Sequence, residues 1–594
     1  MSTLPPARAV SIPRPLPAWT GCLLAALAVV PAAADLLDDP RRDGWETEVF
    51  QSAANRQLDR VVEALRKPDE AAAAALAALV TDDFSCGRLR PAELAEVFAD
   101  GPLRVLRAAR ESAGEERTYR GAGGLLRALR ELPGTGAPGM RFKFKVVGVD
   151  LEAAGRAATR QLFSLTAGDA AGGSVEHHAT WETDWAPDGD TPRLRSLRLA
   201  GDYQEAHYRD GGRATLFSDR TAAVLAGSEV FERQLMRGTW SWLGELEAGL
   251  GHDFVGHSGI AVGDVDGDGL EDLYVCQSGG LPNRLFLHQG DGSVRERAAW
   301  AGVDWLDRTH GALLIDLDGD GDKDLALSTS AALLVMENDG GGRFALRAEF
   351  ADAGYAYSLA AADYDLDGDL DLYATRYNPL HEELGAEADV PTPLPYHDAE
   401  NGARNVLLEN DGGFRFTDVT EATGLDADNR RWSFAASWED HDNDGDPDLY
   451  VANDFGRNCL YRNDGGHFVN IAAESGVEDV ASGMSVAWGD ADRNGWMDLY
   501  IGNMFSSAGN RITYQGQFQP TMAKSTKVLV QRLARGNSLF VNHGGSCFAD
   551  YSTIAGVTMG RWAWGSIFAD LNNDGWQDVV VANGYLTTPN SGDL

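Results

Sequence analysis

The stretch that decides the fold is Asp264-Val265-Asp266-Gly267-Asp268-Gly269-Leu270-Glu271-Asp272, followed by Leu273-Tyr274-Val275. Carboxylates at the first, third, fifth and ninth places describe a short loop closed around one hard cation. Glycine lets the backbone turn sharply, and alternate side chains then face a common centre. The carbonyl at the seventh place, Leu270, can add another oxygen. Calcium accepts about six to eight oxygens in loose geometry and suits the loop better than magnesium or zinc. The pattern returns five times, at Asp316, Asp318, Asp320, Asp324; Asp363, Asp365, Asp367, Asp371; Asp440, Asp442, Asp444, Asp448; Asp490, Asp492, Asn494, Asp498; and Asp570, Asn572, Asp574, Asp578. With Asp264, Asp266, Asp268 and Asp272, these residues predict about six Ca2+ sites.

The flanks exclude the EF-hand, which needs helices on both sides and a glutamate at the twelfth place. Here each ninth-place aspartate runs into a short apolar strand such as LYV, LAL or VVV, and strand-like residues precede each loop. The unit is a strand–loop–strand hairpin. The net charge of −39 argues against nucleic acid as a partner. However, 25 aspartates lie within the six loops, so most of the acidity belongs to metal ligation. Cys86, Cys276, Cys459 and Cys547 lack CxxC spacing, which argues against a zinc or redox site. One long-range disulfide and four separate thiols both remain open.

Residues 1–34 read as an export signal: Arg8 and Arg14 precede an apolar run at 21–30, and Ala32-Ala33-Ala34 offers a cleavage site. The run is short for a bilayer span, so no membrane span is expected in the mature chain, which is placed outside the cytoplasm. Residues 45–130 carry apolar stripes at helical spacing, and Pro91-Ala92-Glu93-Leu94 is expected to start a helix. From Met140 the period changes to two, through RFKFKVVGVDLE, ATRQLFSLTAG, EHHATWETDW and RLRSLRLAGDYQEAHY. A partly helical connector is expected over 206–255. Between the loops a second unit recurs, with Asn283, Asn405, Asn458 and Asn537 each opening an apolar strand that ends near a glycine turn. About four strands per period of roughly fifty residues is the signature of propeller blades. Long gaps mark insertions at 377–402 and 504–535.

The repeats resemble FG-GAP/VCBS repeats, the calcium-loop blades of integrin-α-like propellers. Phrases such as GLPNRLFL, FTDVTEATGL and ARGNSLFVN resemble bacterial relatives of cartilage acidic protein. The segment 45–205, with Trp181, Trp185 and the strand at 193–199, resembles the nuclear-transport-factor-2-like (SnoaL-like) cone. The resemblance implies a mainly β chain: a six- or seven-bladed propeller over 256–594, preceded by a smaller α+β domain. It implies a secreted or cell-surface adhesion module with largely structural calcium and an extracellular protein or carbohydrate as partner. The alternative is an extracytoplasmic propeller enzyme, a hydrolase, lyase or oxidoreductase, working at the channel mouth. No HExxH, GxSxG or Walker loop stands in a suitable context, and no catalytic residue is assigned.

Two further expectations concern particular side chains. Counting back from each first aspartate, the eighth and sixth places differ between repeats, as an asymmetric site on a repeated scaffold requires. They and their neighbours supply Arg308, His310, Tyr355, Arg431, Trp432, Arg561 and Trp562 as candidates for gripping an anionic or sugar-like group by charge and stacking. His177 is expected to matter less than Asp444, as an exposed or merely satisfied histidine of the first domain.

Overall fold

The computed structural model describes residues 45–584 apart from 109–117, 153–155, 169–171, 189–190, 210–216, 226, 248–257, 380–391 and 546. The expected export signal at 1–34 lies outside the described residues. The chain divides into two compact units between Ala214 and Thr215.

In the first unit, helices Glu46–Leu65, Asp69–Ala77 and Gly121–Arg130 accompany an eight-stranded sheet. Its long strands, Arg141–Glu152, Arg156–Gly168, Ser174–Ala186 and Arg193–Tyr208, pair antiparallel in sequence order. Strict alternation buries Val175, His177, Ala179, Trp181, Thr183 and Trp185 on one face of the third of these strands. There Trp181 stacks on Phe163 with ring centroids 4.2 Å apart. The helix expected from Pro91 does not form. Strands Ala95–Asp100 and Leu103–Arg107 pair instead around Gly101-Pro102, the Asp-Gly-Pro turn signal outweighing the helical one.

The second unit holds five four-stranded antiparallel sheets and one two-stranded sheet among the described residues. Sheet 1 comprises Ile260–Gly263, Asp272–Val275, Arg284–His288 and Val294–Glu296. Sheet 2 comprises Thr309–Ile315, Asp324–Thr329, Leu333–Asn338 and Phe344–Phe350. Sheet 3 runs through Ala356–Ala362, Asp371–Arg376, Val406–Asn410 and Phe416–Asp418, and sheet 4 through Trp432–Glu439, Asp448–Phe455, Cys459–Asn463 and Phe468–Asn470. Sheet 5 has Gly483–Gly489, Asp498–Asn503, Ser538–Asn542 and Phe548–Asp550; sheet 6 has Ala563–Ala569 and Asp578–Asn583. Every sheet is a meander, and the first strands of successive sheets lie side by side. The segment expected as a connector is partly helical, and its Leu225 and Phe231 pack on Phe286 of sheet 1.

Successive sheets are clipped together by one repeated side chain. The asparagine ending the third strand donates Nδ2–H to the second loop residue of the preceding sheet: Asn338 to Val265 O (2.9 Å), Asn410 to Leu317 O (2.8 Å), Asn463 to Tyr364 O (2.7 Å), Asn542 to His441 O (2.8 Å). Its Nδ2 also reaches the eighth residue of its own sheet's loop, and its Oδ1 accepts from a glycine of the following turn. All four asparagines are buried. Removing one strands two carbonyls and an N–H, each costly when buried. We expect Asn463→Ala to destabilise the second unit by about 2–3 kcal/mol in urea unfolding. His288 occupies the corresponding place in sheet 1: its backbone N–H donates to Asp272 Oδ1 at 2.7 Å as those of the asparagines do to their ninth aspartates, and it is the first of the sheets, with no earlier loop among the described residues to clip. His288→Ala should therefore cost under about 1 kcal/mol.

Candidate functional site

Each loop joins the first and second strands of its sheet, and its form follows from its glycines. The sixth place is glycine in all six loops, with φ between +83° and +104°. The fourth place is also left-handed, and there only Gly267 and Gly319 are glycines; Leu366, Asn443, Arg493 and Asn573 accept φ of 57–62°. A non-glycine residue held this way costs about 1–2 kcal/mol, which the loop geometry must repay.

The first and ninth aspartates frame the loop. Asp264 Oδ1 accepts from Gly267 N at 2.9 Å and Oδ2 from Gly269 N at 2.8 Å. Asp316, Asp363, Asp440, Asp490 and Asp570 likewise accept from the backbone of their loops. The ninth aspartates Asp272, Asp324, Asp371, Asp448 and Asp498 are at most 1% exposed. Each gives one oxygen to the second loop residue's N–H and the other to the third strand, as Asp324 does with Leu317 N (2.9 Å) and Asn338 N (2.9 Å). Asp578, in two-stranded sheet 6, keeps the bond to Leu571 N at 3.2 Å.

The remaining carboxylates converge. Asp264, Asp266 and Asp272 bring ligand oxygens within 4.8 Å of one another, and so do Asp316, Asp318 and Asp320; Asp363, Asp365 and Asp371; and Asp440, Asp442 and Asp444. Asp268 and Asp367 stand in two of these loops, and Asp492, Asn494, Asn572 and Asp574 in the fifth and sixth, each accepting a backbone N–H group. The third-place oxygens Asp266 Oδ1 and Asp442 Oδ1 are shut off from solvent and have no hydrogen-bond partner. A buried anionic oxygen without a donor fits a bound cation, so the residues present suit calcium. Burial, with neighbouring carboxylates, raises the Asp266, Asp318, Asp365 and Asp442 carboxyls, and pushes Asp324 to about 6 and Asp371 to about 7.

The opposite ends of the first strands carry the variable positions. The Arg308 guanidinium lies over the Tyr355 ring at 5.0 Å, and His310 stacks on Tyr357 at 4.8 Å. The aromatic contacts continue through Tyr357–Phe434 (5.3 Å), Tyr377–Trp432 (5.0 Å) and Phe434–Trp564 (5.8 Å). His310 and Trp432 are buried, Arg308, Tyr355 and Trp562 half-buried, and Arg561 exposed. Arg431 is held differently from its expected role. Its side chain is 6% exposed and lies between Asp428 (3.2 Å), Glu400 (3.4 Å) and Asp398 (3.7 Å), which leaves it no charge to offer a ligand. Among the described residues of the two insertions, 396–398 of one touch helix Lys524–Leu533 of the other.

In the first unit, His177 is fully buried, its ring nitrogens 3.1 Å from Tyr203 Oη and 2.8 Å from the Pro133 carbonyl. Burial lowers its basicity. Tyr203 donates to Glu205 at 2.7 Å, and Arg90 grips the same carboxylate at 2.5 and 3.0 Å. Burial alone would raise the Glu205 carboxyl; hydrogen bonds from His207, Arg90 and Tyr203 hold it far below the usual range. Sequence reasoning missed this group. Inward alternation from Tyr203 to Glu205, opposite His177 on the paired strand, was the available signal. No cysteine is paired among the described residues: Cys86, Cys276 and Cys459 are buried and Cys547 is exposed.

Three segments match the model of an FG-GAP-like repeat, at 264–327, 316–374 and 440–501. These matches reach the repeat and not the narrower likeness to cartilage acidic protein. No curated protein matches the chain. Similar solved structures include a lectin of Agrocybe aegerita described as recognising non-reducing terminal N-acetylglucosamine, at 16% identity, covering 55% of this chain and 74% of that one, TM-score 0.33. The V. cholerae biofilm matrix protein Bap1 aligns at 13% identity over 50% of this chain and 38% of its own, TM-score 0.28. A putative scytalone dehydratase from Novosphingobium aromaticivorans aligns at 11% identity over 29% of this chain and 96% of its own, TM-score 0.19. Likeness at these scores supports no inference about fold or ligand.

Two outcomes follow from the loop and the buried histidine. The raised carboxyls have folded values above their unfolded range near 4, so protonation favours the metal-free fold. In chelator, the melting temperature should therefore rise as pH falls from 7.5 towards 5, and saturating calcium should abolish or reverse that slope. His177→Ala should lower the stability of the first unit by about 2–4 kcal/mol. That is as large as the loss from Asp444→Ala, contrary to the ranking expected from sequence, because His177 is sealed in a polar network and Asp444 faces solvent.

Proposed function

We propose that the protein is an extracytoplasmic interaction module whose repeat sheets close into a six- or seven-bladed propeller. Calcium at the loops stiffens one end, and the opposite end presents the ligand-binding surface. The observation that carries this reading is the contrast between the ends. The loops repeat the same carboxylates from sheet to sheet, save Asn494 and Asn572, whereas the other ends hold Ser258, Arg308 with His310, Tyr355 with Tyr357, Trp432 with Phe434, Met484, and Trp562 with Trp564. Repetition serves the scaffold, and variation at equivalent places serves recognition. At ~10⁻⁴ M affinity and ~2 mM calcium, each loop would gain roughly 2 kcal/mol, so calcium acts chiefly as a folding ligand. Export through residues 1–34 belongs to the same proposal, since extracytoplasmic calcium fills loops of such affinity. Among the described residues no helix is long and apolar enough to cross a membrane.

The ligand is an extracellular carbohydrate or protein bearing negative charge, met by Arg308 over Tyr355 and by Arg561 beside Trp562. His310 and Trp432 support this surface from beneath. Arg431 fixes the 398–400 segment and does not touch the ligand. Retention on immobilised anionic polysaccharides tests the reading. Replacing Arg308, Arg561 and Trp562 together by alanine should weaken retention at least about tenfold, the cost of one or two lost contacts. Calcium-dependent melting should be unchanged. Retention that survives the triple change contradicts this surface.

A further inference from the structure

Among the described residues ten non-glycine residues hold a left-handed backbone, and four of them, Leu366, Asn443, Arg493 and Asn573, are the fourth places of acidic loops. Three of the other six stand at the opposite ends: Tyr355 (φ 62°), Ser482 (φ 60°) and Arg561 (φ 60°) lie within two residues of the first strands Ala356–Ala362, Gly483–Gly489 and Ala563–Ala569. Loop geometry does not account for these three. A side chain in this region strains the backbone, and such strain persists where the surroundings impose it and gathers at ligand clamps.

Arg561 carries the argument furthest. Gly560 before it has no room for a side chain, since a Cβ there would stand 2.1 Å from Asn537 Nδ2. At the next place glycine would relieve the strain, yet the chain carries an arginine. The 504–535 insertion pins this backbone: Phe505 N–H donates to Arg561 O at 2.7 Å, and Met504 and Trp562 form an antiparallel bridge. The side chain is exposed, and among the described residues its guanidinium has no carboxylate or hydrogen-bond partner. The other two arginines expected at this end are engaged, Arg431 between Asp428, Glu400 and Asp398, and Arg308 over the Tyr355 ring. In a chain of net charge −39, an unmet guanidinium on a pinned and strained backbone suits an anion from outside.

We propose that Arg561 is the specificity-determining residue of the variable end, and that it binds a carboxylate or sulfate group of an acidic polysaccharide. The planar fork grips either anion through two N–H donors. The adjacent half-buried Trp562 offers a ring to the apolar face of the sugar that carries the anion. The pinned backbone fixes the base of the side chain before ligand arrives, which lowers the ordering cost of binding. The inference rests on reading the variable end as the ligand surface, and narrows that reading to one residue and one class of ligand.

The full chain in saturating calcium is compared with Arg561→Gly, Arg561→Lys and Trp562→Ala on immobilised polygalacturonate, dextran sulfate and uncharged dextran, with melting read in the same samples. The wild type should be retained by an acidic polymer and not by dextran; polygalacturonate assigns the anion as carboxylate, dextran sulfate as sulfate. Arg561→Gly should melt no lower than the wild type, because relief of the left-handed strain offsets the freedom glycine adds to the unfolded chain, and should lose retention at least about tenfold. Arg561→Lys keeps the charge without the fork, so its retention should fall between the two at wild-type melting. Unchanged retention in Arg561→Gly overturns the proposal, as does a wild type retained by neither acidic polymer or equally by dextran. If Arg561→Gly both melts lower and loses retention, Arg561→Lys decides: weaker retention at wild-type melting supports the proposal and unchanged retention overturns it. Trp562→Ala separates the two claims. If it abolishes retention and Arg561→Gly does not, this inference fails while the surface reading stands; if neither matters, both fail.

Discussion

The second unit depends on a buried carboxylate at the ninth place of each loop. Asp272, Asp324, Asp371, Asp448 and Asp498 each join two backbone N–H groups, one in the loop and one in the third strand. The same side chain thereby fixes loop and sheet together. A buried anion among other anions is unfavourable by itself, and burial raises the Asp324 and Asp371 carboxyls accordingly. A divalent cation, as proposed for these loops, would turn that cost into a gain and would account for the recurrence of one nine-residue phrase along a strongly acidic chain.

From that constraint the division of labour follows. The loop ends of the sheets carry the convergent carboxylates, which the proposed function gives to metal ligation, and the asparagine clips that reach from one sheet to the loop before it. Neither device tolerates much variation. The opposite ends carry no such duty, and the described residues of the two insertions, among them 396–398 and helix Lys524–Leu533, meet one another. Buried Asp479 illustrates how one insertion is anchored: Arg532, on helix Lys524–Leu533, donates to it at 2.6 Å, and Asn503 and Ser538 complete the group. The first unit spends its buried polar groups differently, on the Arg90–Glu205–Tyr203–His177 network.

The strands and loops were legible because they are periodic and local. Alternation in Ser174–Ala186 and the nine-residue spacing each lie within a few turns of chain. What escaped was non-local. The asparagine clips join residues 73 to 101 positions apart, so the recurring Asn-Asp-Gly-Gly phrase was visible while its bond to the preceding loop was not. Arg431 looked like a free cation because its neutralising Asp398 and Glu400 come from the insertion. His177 was discounted because its neighbour His178 must face the other way; the partners that matter, Tyr203 and Glu205, stand on the adjacent strand. Pro91 suggested a helix start, but the turn at Gly101-Pro102 ten residues later settled the segment as a hairpin.

The central claim is that the repeated carboxylates are calcium ligands. Equilibrium dialysis of the chelator-stripped chain against radioactive calcium, with magnesium in excess, measures this directly. The account predicts about five to six calcium ions per chain at millimolar concentration, displaced poorly by magnesium. Binding of none or one, or full displacement by magnesium, would contradict it.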